Sequence, residues 1–473
     1  MKNDKKNPSK MHQTIRYSII EGIFSQGYQV IIGIGSYFIV QLLLLLNASS
    51  FHFGLMAGIA PLSQAMQIFA AHSLKFFKDK KKPTVIYLFI SKIIIILVVV
   101  VVVILPKTPA LYLALTVLLI SNLLFMASQN AWNTWIAESI PHHFRGRFFA
   151  ERNRWITLIG LLFGFIVSIY IDLFKEDSFF SGTLSNLIDN FSQLSFLTAY
   201  INSDNLFNAL MTAFILAVIV GCIGIWFLGK QPAFTKDKPS INRISDSFFN
   251  SIKKPFLDKN FSKLLIFFAY WNFSVNLPRP LWGKFMQEIL KMDFFEYWLY
   301  GAISSIVLFL IYKWWGKRID KYGNKPVMAI CIFLGGINPL FFVFAQADWF
   351  WILYIEAIGS AIMWSAGILV TSNFVLTLAP KEGKEMYIAV LAMVSGITGF
   401  SSSVLSGIIC DLIPTWKLSW ITFTGMQAVF FIGSILRWLS ILFLIPIYEA
   451  NSMPLSKLLA TIYLKIKNLI FIN

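Results

Sequence analysis

Apolar runs of about twenty residues alternate along this chain with short polar segments rich in lysine and arginine. A helix crossing a hydrocarbon core of about 30 Å needs about 20 mostly apolar residues. Twelve stretches qualify, over roughly 18–45, 52–73, 84–105, 109–134, 154–172, 206–229, 264–286, 294–314, 326–346, 349–377, 386–410 and 418–447. The clearest runs from Thr84 to Pro106 and contains SKIIIILVVVVVVILP. Its β-branched residues do not make it a strand, because an open sheet edge cannot be satisfied in lipid. The stretches are also about twice as long as a barrel strand. The pattern therefore predicts an all-α membrane protein with twelve transmembrane helices. The basic start MKNDKKNPSK is followed by a run too long for a cleaved signal, which reads as the first span.

Composition agrees. Of the 473 residues 57% are hydrophobic and only 13% charged, with mean hydropathy +0.68. That charge content cannot cover the surface of a soluble protein of this length, which excludes an ordinary cytosolic enzyme, a disordered chain and a fibrous repeat. The formal net charge of +17 has a topological explanation. With the N-terminus in the cytoplasm, the cytoplasmic segments hold 32 of the 40 Lys and Arg residues and the outer segments hold 4. This bias places both termini inside, with the charge facing anionic lipid heads rather than nucleic acid, and the expectation is a multi-pass protein of a bacterial inner membrane. Cys222, Cys331 and Cys410 lie in apolar runs without a CxxC pair and read as packing residues. His142 and His143 sit near Glu138 in a basic segment without a metal-site pattern, and no metal or cofactor is expected. No G-x-x-x-x-G-K-[ST] phosphate loop occurs.

The chain also looks duplicated. Residues 1–229 form an N-terminal six-helix bundle, 230–263 a basic cytoplasmic linker, 264–447 a C-terminal six-helix bundle, and 448–473 an interfacial C-terminal helix. Pro83 and Pro326 each open a span after a basic loop, 243 residues apart. Pro141 and Pro380 each close a span with a cation four residues on, 239 residues apart. The expectation is two pseudo-symmetric six-helix bundles, an arrangement used by secondary transporters. The outer segment 172–205 adds a short amphipathic helix on the outer face.

The loop GKRIDKYGNKP, with Gly316, Asp320, Gly323, Lys325 and Pro326, matches the G-x-x-x-D-x-x-G-x-[RK] pattern of the major facilitator superfamily. WIAESIPHHFRGRFF, with Pro141, Arg145 and Gly146, resembles the P-x-x-x-R-G stretch of its bacterial members. With twelve spans and a central linker, the resemblance covers nearly the whole chain. The first-half loop SLKFFKDKKKP keeps the cations but lacks the glycines, and Phe77 falls where Asp320 stands in the second half. The signatures of the drug-antiporter, sugar-porter and peptide-transporter branches are absent, so no subfamily is assigned. The resemblance implies gating loops at Arg145, Gly146, Gly316, Asp320, Gly323 and Lys325. There Gly316 and Gly323 would allow tight turns, and Asp320 would accept hydrogen bonds from a neighbouring helix N-terminus.

The resemblance also implies that spans 1, 4, 7 and 10 line a central cavity, and those spans carry polar stripes. Gln29 lies on the first. Asn122, Gln129 and Asn133 share a face of the fourth, Asn272, Asn276 and Arg279 of the seventh, and Glu356, Ser360 and Trp364 of the tenth. Polar groups inside hydrocarbon are costly and face a cavity or a partner helix. Arg279 and Glu356 fall at similar depth by helix rise, so they are expected to pair, or to divide between substrate and proton. Pro278 and Pro280 should break the helix around Arg279. Lys92 and Arg437 are expected to snorkel or to pair structurally. Taken together, the expectation is a monomeric secondary active transporter, not an enzyme, that moves a small polar or anionic organic solute by alternating access with ion coupling, protons foremost. One alternative is a proton-coupled exporter of amphipathic compounds with an aromatic cavity. The other is a membrane-embedded transferase, for which no acid/base cluster stands at an interface.

Overall fold

A backbone surrounded by lipid must satisfy its own N–H and C=O groups, and an apolar run does so by coiling into a helix. The computed structural model describes residues 8–67, 77, 79–175, 178, 205–232, 248–380, 383–418, 421–450 and 452–454. Among the described residues, ten helices are long and apolar enough to cross a membrane. The first such span is broken at Gly33–Ser36 into α1 (Pro8–Ile32) and α2 (Tyr37–Leu45). The others run over Lys81–Ile104, Lys107–Ile136, Phe144–Asp172, Leu206–Gly229, Phe294–Tyr322, Asn324–Phe344, Ile352–Leu378, Lys384–Leu412 and Gly425–Leu444.

Two of the twelve expected stretches are not among the ten. The stretch at 52–73 is α3 (Ser50–Ala65), and residues 68–73 lie outside the described residues. The stretch at 264–286 is split into α10 (Lys259–Asn276) and α11 (Arg279–Glu288). Pro278 and Pro280 lack the N–H that would carry the helix through. The expected start of the last span at 418 is corrected to Gly425. Residues Trp416–Leu418 and Ile421–Phe423 form a small antiparallel ribbon instead. Thr424 and Gln427 then close a capping box, with Thr424 N donating to Gln427 Oε1 at 2.8 Å. Most of the predicted outer helix within 172–205 and of the C-terminal helix within 448–473 lies outside the described residues. Among its described residues the predicted linker carries α9 (Phe248–Leu257) and the start of α10.

The intervening helices are α4 (Lys81–Ile93), α5 (Ile96–Ile104), α6 (Lys107–Ser139), α7 (His142–Asp172) and α8 (Leu206–Gly229). After α11 come α12 (Phe294–Tyr322), α13 (Asn324–Phe344), α14 (Ile352–Leu378), α15 (Lys384–Leu412), α16 (Gly425–Leu439) and the short α17 (Ile441–Leu444). The chain divides into two compact units. One comprises Met1–Arg243 with Gly283–Trp298, the other Ile244–Trp282 with Leu299–Asn473.

In the first unit α1 packs against α7 and α8, and α4 against α6 and α8. Lys92 of α4 is fully buried there. Its ammonium donates to Ser25 Oγ at 2.8 Å and Gly221 O at 3.1 Å and lies 5.3 Å from the centre of the Tyr28 ring. Glu21 pairs with Arg152 at 3.3 Å. Gly283–Trp298 joins this unit through its polar groups. Both Asp172 carboxylate oxygens cap α12, accepting from Phe294 N at 2.8 Å and Phe295 N at 2.7 Å. Lys175 bridges to Asp293 at 2.9 Å, Gln287 Nε2 donates to Tyr37 O at 2.8 Å, and the Tyr37 hydroxyl donates to Met292 O.

In the second unit α10 packs against α15, and α13 against α14 and α16. Arg437 of α16 is fully buried rather than snorkelling. Its Nη1 donates to Gly335 O at 2.9 Å and its Nη2 to Val275 O at 3.2 Å. Both acceptors are carbonyls that the helices leave without their usual donor. The residue four on from Gly335 is Pro339, which has no N–H, and Val275 stands at the end of α10. One guanidinium thus repairs two proline-linked gaps. Beside it, Trp438 Nε1 donates to Phe333 O at 3.1 Å, and a Cβ on Gly336 would collide with the Trp438 ring.

Arg437→Ala strands two buried carbonyls and should cost about 3 kcal/mol, with Arg437→Lys losing less. Thermal unfolding of the purified protein reads this as a Tm drop, largest for the alanine variant. Asp172→Asn keeps the shape of the α12 cap and removes its charge, for an expected loss of about 1 kcal/mol in the same assay.

Candidate functional site

Each unit carries its own set of polar groups. In the first, Gln29 of α1 and Asn122 of α6 line a small recess with Tyr28, Ser91, Ser121 and Phe125. Neighbouring hydroxyls are used locally: Ser121 donates to Ser91 O at 2.7 Å and Ser128 to Thr84 O at 2.8 Å. The buried Oδ1 of Asn122 has no hydrogen-bond partner among the described residues. Gln129 and Asn133 continue the Asn122 face along α6, half-buried and exposed respectively. Of the four residues expected to line a cavity here, the recess brings together two.

In the second unit the stripe on α10 turns inward on itself. Asn272 Nδ2 donates to Phe268 O and Asn276 Nδ2 to Asn272 O, both at 2.8 Å, one helical turn back. Arg279 is exposed at the helix break, and its Nη1 reaches Asn276 Oδ1 at 3.4 Å. The expected pairing of Arg279 with Glu356 is replaced. Glu356, buried on α14, accepts from the Tyr300 hydroxyl at 2.6 Å, and the cation whose charge acts on it is Arg437. Ser360, one turn on, is a further hydrogen-bond partner of that carboxyl. Trp364 is half-buried on the same helix. Close by on α13 stands Asn338, buried, with Nδ2 unpartnered among the described residues. This is a buried carboxyl within reach of a phenol, a hydroxyl and a guanidinium, a set that can exchange a proton or bind a polar group.

The motif residues divide differently from expectation. Gly316 lies inside α12 with open space around its Cα rather than at a turn, because the helix runs on to Tyr322. Gly323 makes the turn, with φ +90°, and a Cβ there would sit 2.8 Å from Ser452. Asp320 is exposed. The role expected of it, receiving a helix N-terminus, is filled by Glu449, which accepts from Asn324 N at 3.0 Å and Lys325 N at 2.8 Å. Lys325 Nζ in turn donates to Ile445 O at 2.7 Å and Ile447 O at 2.8 Å, just past α17. Arg145 Nε donates to Ile140 O at 3.0 Å across the α6–α7 junction, and Gly146 is exposed with open space around it.

Sequence reasoning missed Tyr300, Asn338 and Glu449, while Arg437 takes the second of the two roles expected of it, a structural one rather than snorkelling. Pro339 was the available signal for Arg437, since a proline inside a span announces a carbonyl in need of a donor. Among the described residues no three His, Cys, Asp or Glu side chains gather as a metal site.

No family model and no curated protein sequence matches the chain. Solved structures do match its fold. The nucleoside transporter NupG is similar with a TM-score of 0.65 at 14% identity, over 93% of this chain and 100% of that one. The xylose transporter XylE from E. coli, in an inward open conformation, gives a TM-score of 0.60 at 14% identity over 95% and 99%. A bacterial homologue of the iron transporter ferroportin, inward-facing, gives 0.59 at 10% identity over 93% and 98%. With the loop motifs of its own sequence, this full-length likeness identifies the chain as having the fold of the major facilitator superfamily, subfamily unassigned.

Proposed function

We propose that the chain is a twelve-span secondary transporter in which two related six-helix bundles alternate access to a small polar or anionic organic solute. The observation that carries this reading is the likeness over nearly the whole length of a nucleoside transporter, a xylose transporter and a bacterial homologue of an iron transporter. The packing adds support from within the chain. Pairing α1 with α7 and α4 with α6 and α8 in one unit parallels pairing α10 with α15 and α13 with α14 and α16 in the other. These are corresponding helices if span seven repeats span one. The two helices missing from the count of ten are then α3 and the broken α10–α11 pair. Discontinuous helices are a usual place for a transporter to expose backbone groups to solute.

In this reading the termini face the cytoplasm, the membrane is a bacterial inner membrane, the protein works as a monomer, and it is not an enzyme. Glu356 carries the coupled proton, exchanging it within the hydrogen bonds of Tyr300 and Ser360 while Arg437 balances its charge. Within the first unit, Asn122, whose Oδ1 has no partner among the described residues, faces the solute beside Gln29.

Uptake into proteoliposomes tests this with a panel of nucleosides, pentoses, amino acids and carboxylates, with and without an inward proton gradient. One class should enter faster than into protein-free vesicles, and the gradient should raise its rate severalfold. Glu356→Gln should abolish the effect of the gradient while leaving solute exchange. Panel-wide uptake no faster than in empty vesicles would remove the transporter reading. Uptake by the wild type that ignores the gradient would remove the proton.

A further inference from the structure

α12 presents one long exposed stripe. Ile306, Phe309, Leu310 and Trp314 are 53%, 67%, 70% and 43% exposed, and they fall within about a third of the helix circumference. A face this apolar in a helix long enough to span is in contact with acyl chains. Where it ends, the same side of the helix turns basic. Lys313, Lys317 and Lys321 follow one another at four-residue spacing in line with Leu310, and Arg318 borders them beside Trp314. Lys313, Lys317 and Lys321 are exposed.

These cations are not engaged by the protein in the way its other cations are. Lys325, one turn beyond, gives its ammonium to two carbonyls, and Arg152, Lys175 and Lys284 each have a carboxylate. Among the described residues, Lys313, Lys317, Arg318 and Lys321 have no ion-pair partner. Asp320 stands near them in sequence, exposed, and is one carboxylate beside four cations. Lys321 has only the Tyr322 ring, 5.4 Å away. Arg318 is fixed in place. Its guanidinium lies over the Trp314 ring at 3.1 Å from the centroid, and Nη1 donates to Trp314 O at 3.1 Å. A guanidinium has five N–H donors in a planar fork, so four remain for an outside acceptor.

From this geometry we infer that the basic end of α12 is a binding site for the phosphate headgroup of an anionic phospholipid, whose acyl chains lie along Ile306, Phe309 and Leu310. The stacked Arg318 supplies the directed donors, and Lys313, Lys317 and Lys321 supply the field. Trp314 sits at the junction of apolar and charged zones, where an indole settles at a membrane interface. A soluble anion would use the cations but not the apolar stripe continuous with them, and that continuity assigns the site to a lipid. The site is independent of which solute is moved and of which side of the membrane this end faces.

Native mass spectrometry of the full-length protein tests it. The protein is released from nanodiscs made of equal parts phosphatidylglycerol and phosphatidylcholine with identical chains. The wild type should retain phosphatidylglycerol preferentially. The double variant Lys317→Ala, Arg318→Ala should weaken that preference about thirtyfold, as expected for two cations at an anionic interface. Arg318→Lys, which preserves the charge and disturbs the fold least, should fall between. A control removing two exposed cations elsewhere, Lys253→Ala with Lys259→Ala, should retain lipid as the wild type does. Equal retention of both lipids by the wild type, or equal loss in the control, would overturn the assignment. So would displacement of the bound lipid by millimolar glycerophosphoglycerol, which would make the site one for soluble anions.

Discussion

The structure depends on one constraint: within lipid, no backbone carbonyl or amide can turn to water. Continuous helices meet it automatically, so the informative places are those where a helix is interrupted. At 33–36 the chain bends, and Ser36 serves both sides, donating to Ile31 O at 2.6 Å and accepting from Ile39 N at 3.3 Å. At the end of α10 and inside α13, prolines or a break remove donors, and Arg437 supplies two in their place. A fully charged side chain buried in a hydrophobic unit is otherwise hard to account for. Its desolvation is offset because both carbonyls would otherwise be stranded as well.

The same requirement governs helix ends. Asp172 receives the first amides of α12, Glu449 those of α13, and Asp258 those of α10 at 3.0 Å. Each is a carboxylate facing the positive end of a helix dipole, where its charge and its acceptor geometry act together. Asp172 and Glu449 come from a distant part of the chain rather than from the capped helix itself. They therefore fasten one element to another, and the position of a helix end becomes a long-range contact.

Helix placement was readable from the sequence because apolar length is nearly sufficient to specify a span. The ten helices coincide with expected stretches, and Pro278 and Pro280 foretold the break between α10 and α11. What could not be read was partnership. Asp320 sits in the loop motif but is exposed, while Glu449, over a hundred residues away in a segment expected only to lie at the interface, caps the helix. Arg279 and Glu356 were matched by depth along their helices. Depth leaves the azimuth around the bundle undetermined, and the cation whose charge bears on Glu356 is Arg437. The small ribbon before α16 was read as helix because WKL and ITF are apolar enough to extend the run that follows.

The polar stripes show how far such patterning can be taken. Spacing alone treats Asn272, Asn276 and Asn122 as equivalent, since each is a polar group on one face of a span. Hydrogen bonding separates them. Asn272 and Asn276 bond back to their own helix, and Ser128 is tied to Thr84 of a neighbour, so their polarity is already satisfied. Among the described residues the buried Asn122 Oδ1 keeps an open acceptor and the buried Asn338 Nδ2 an open donor. An unsatisfied buried amide costs stability that helix packing alone does not require. Gln231, Gln287 and Asn324 also keep a buried amide atom without a partner among the described residues, so an open amide separates Asn122 from the satisfied stripe residues but is not confined to the stripes.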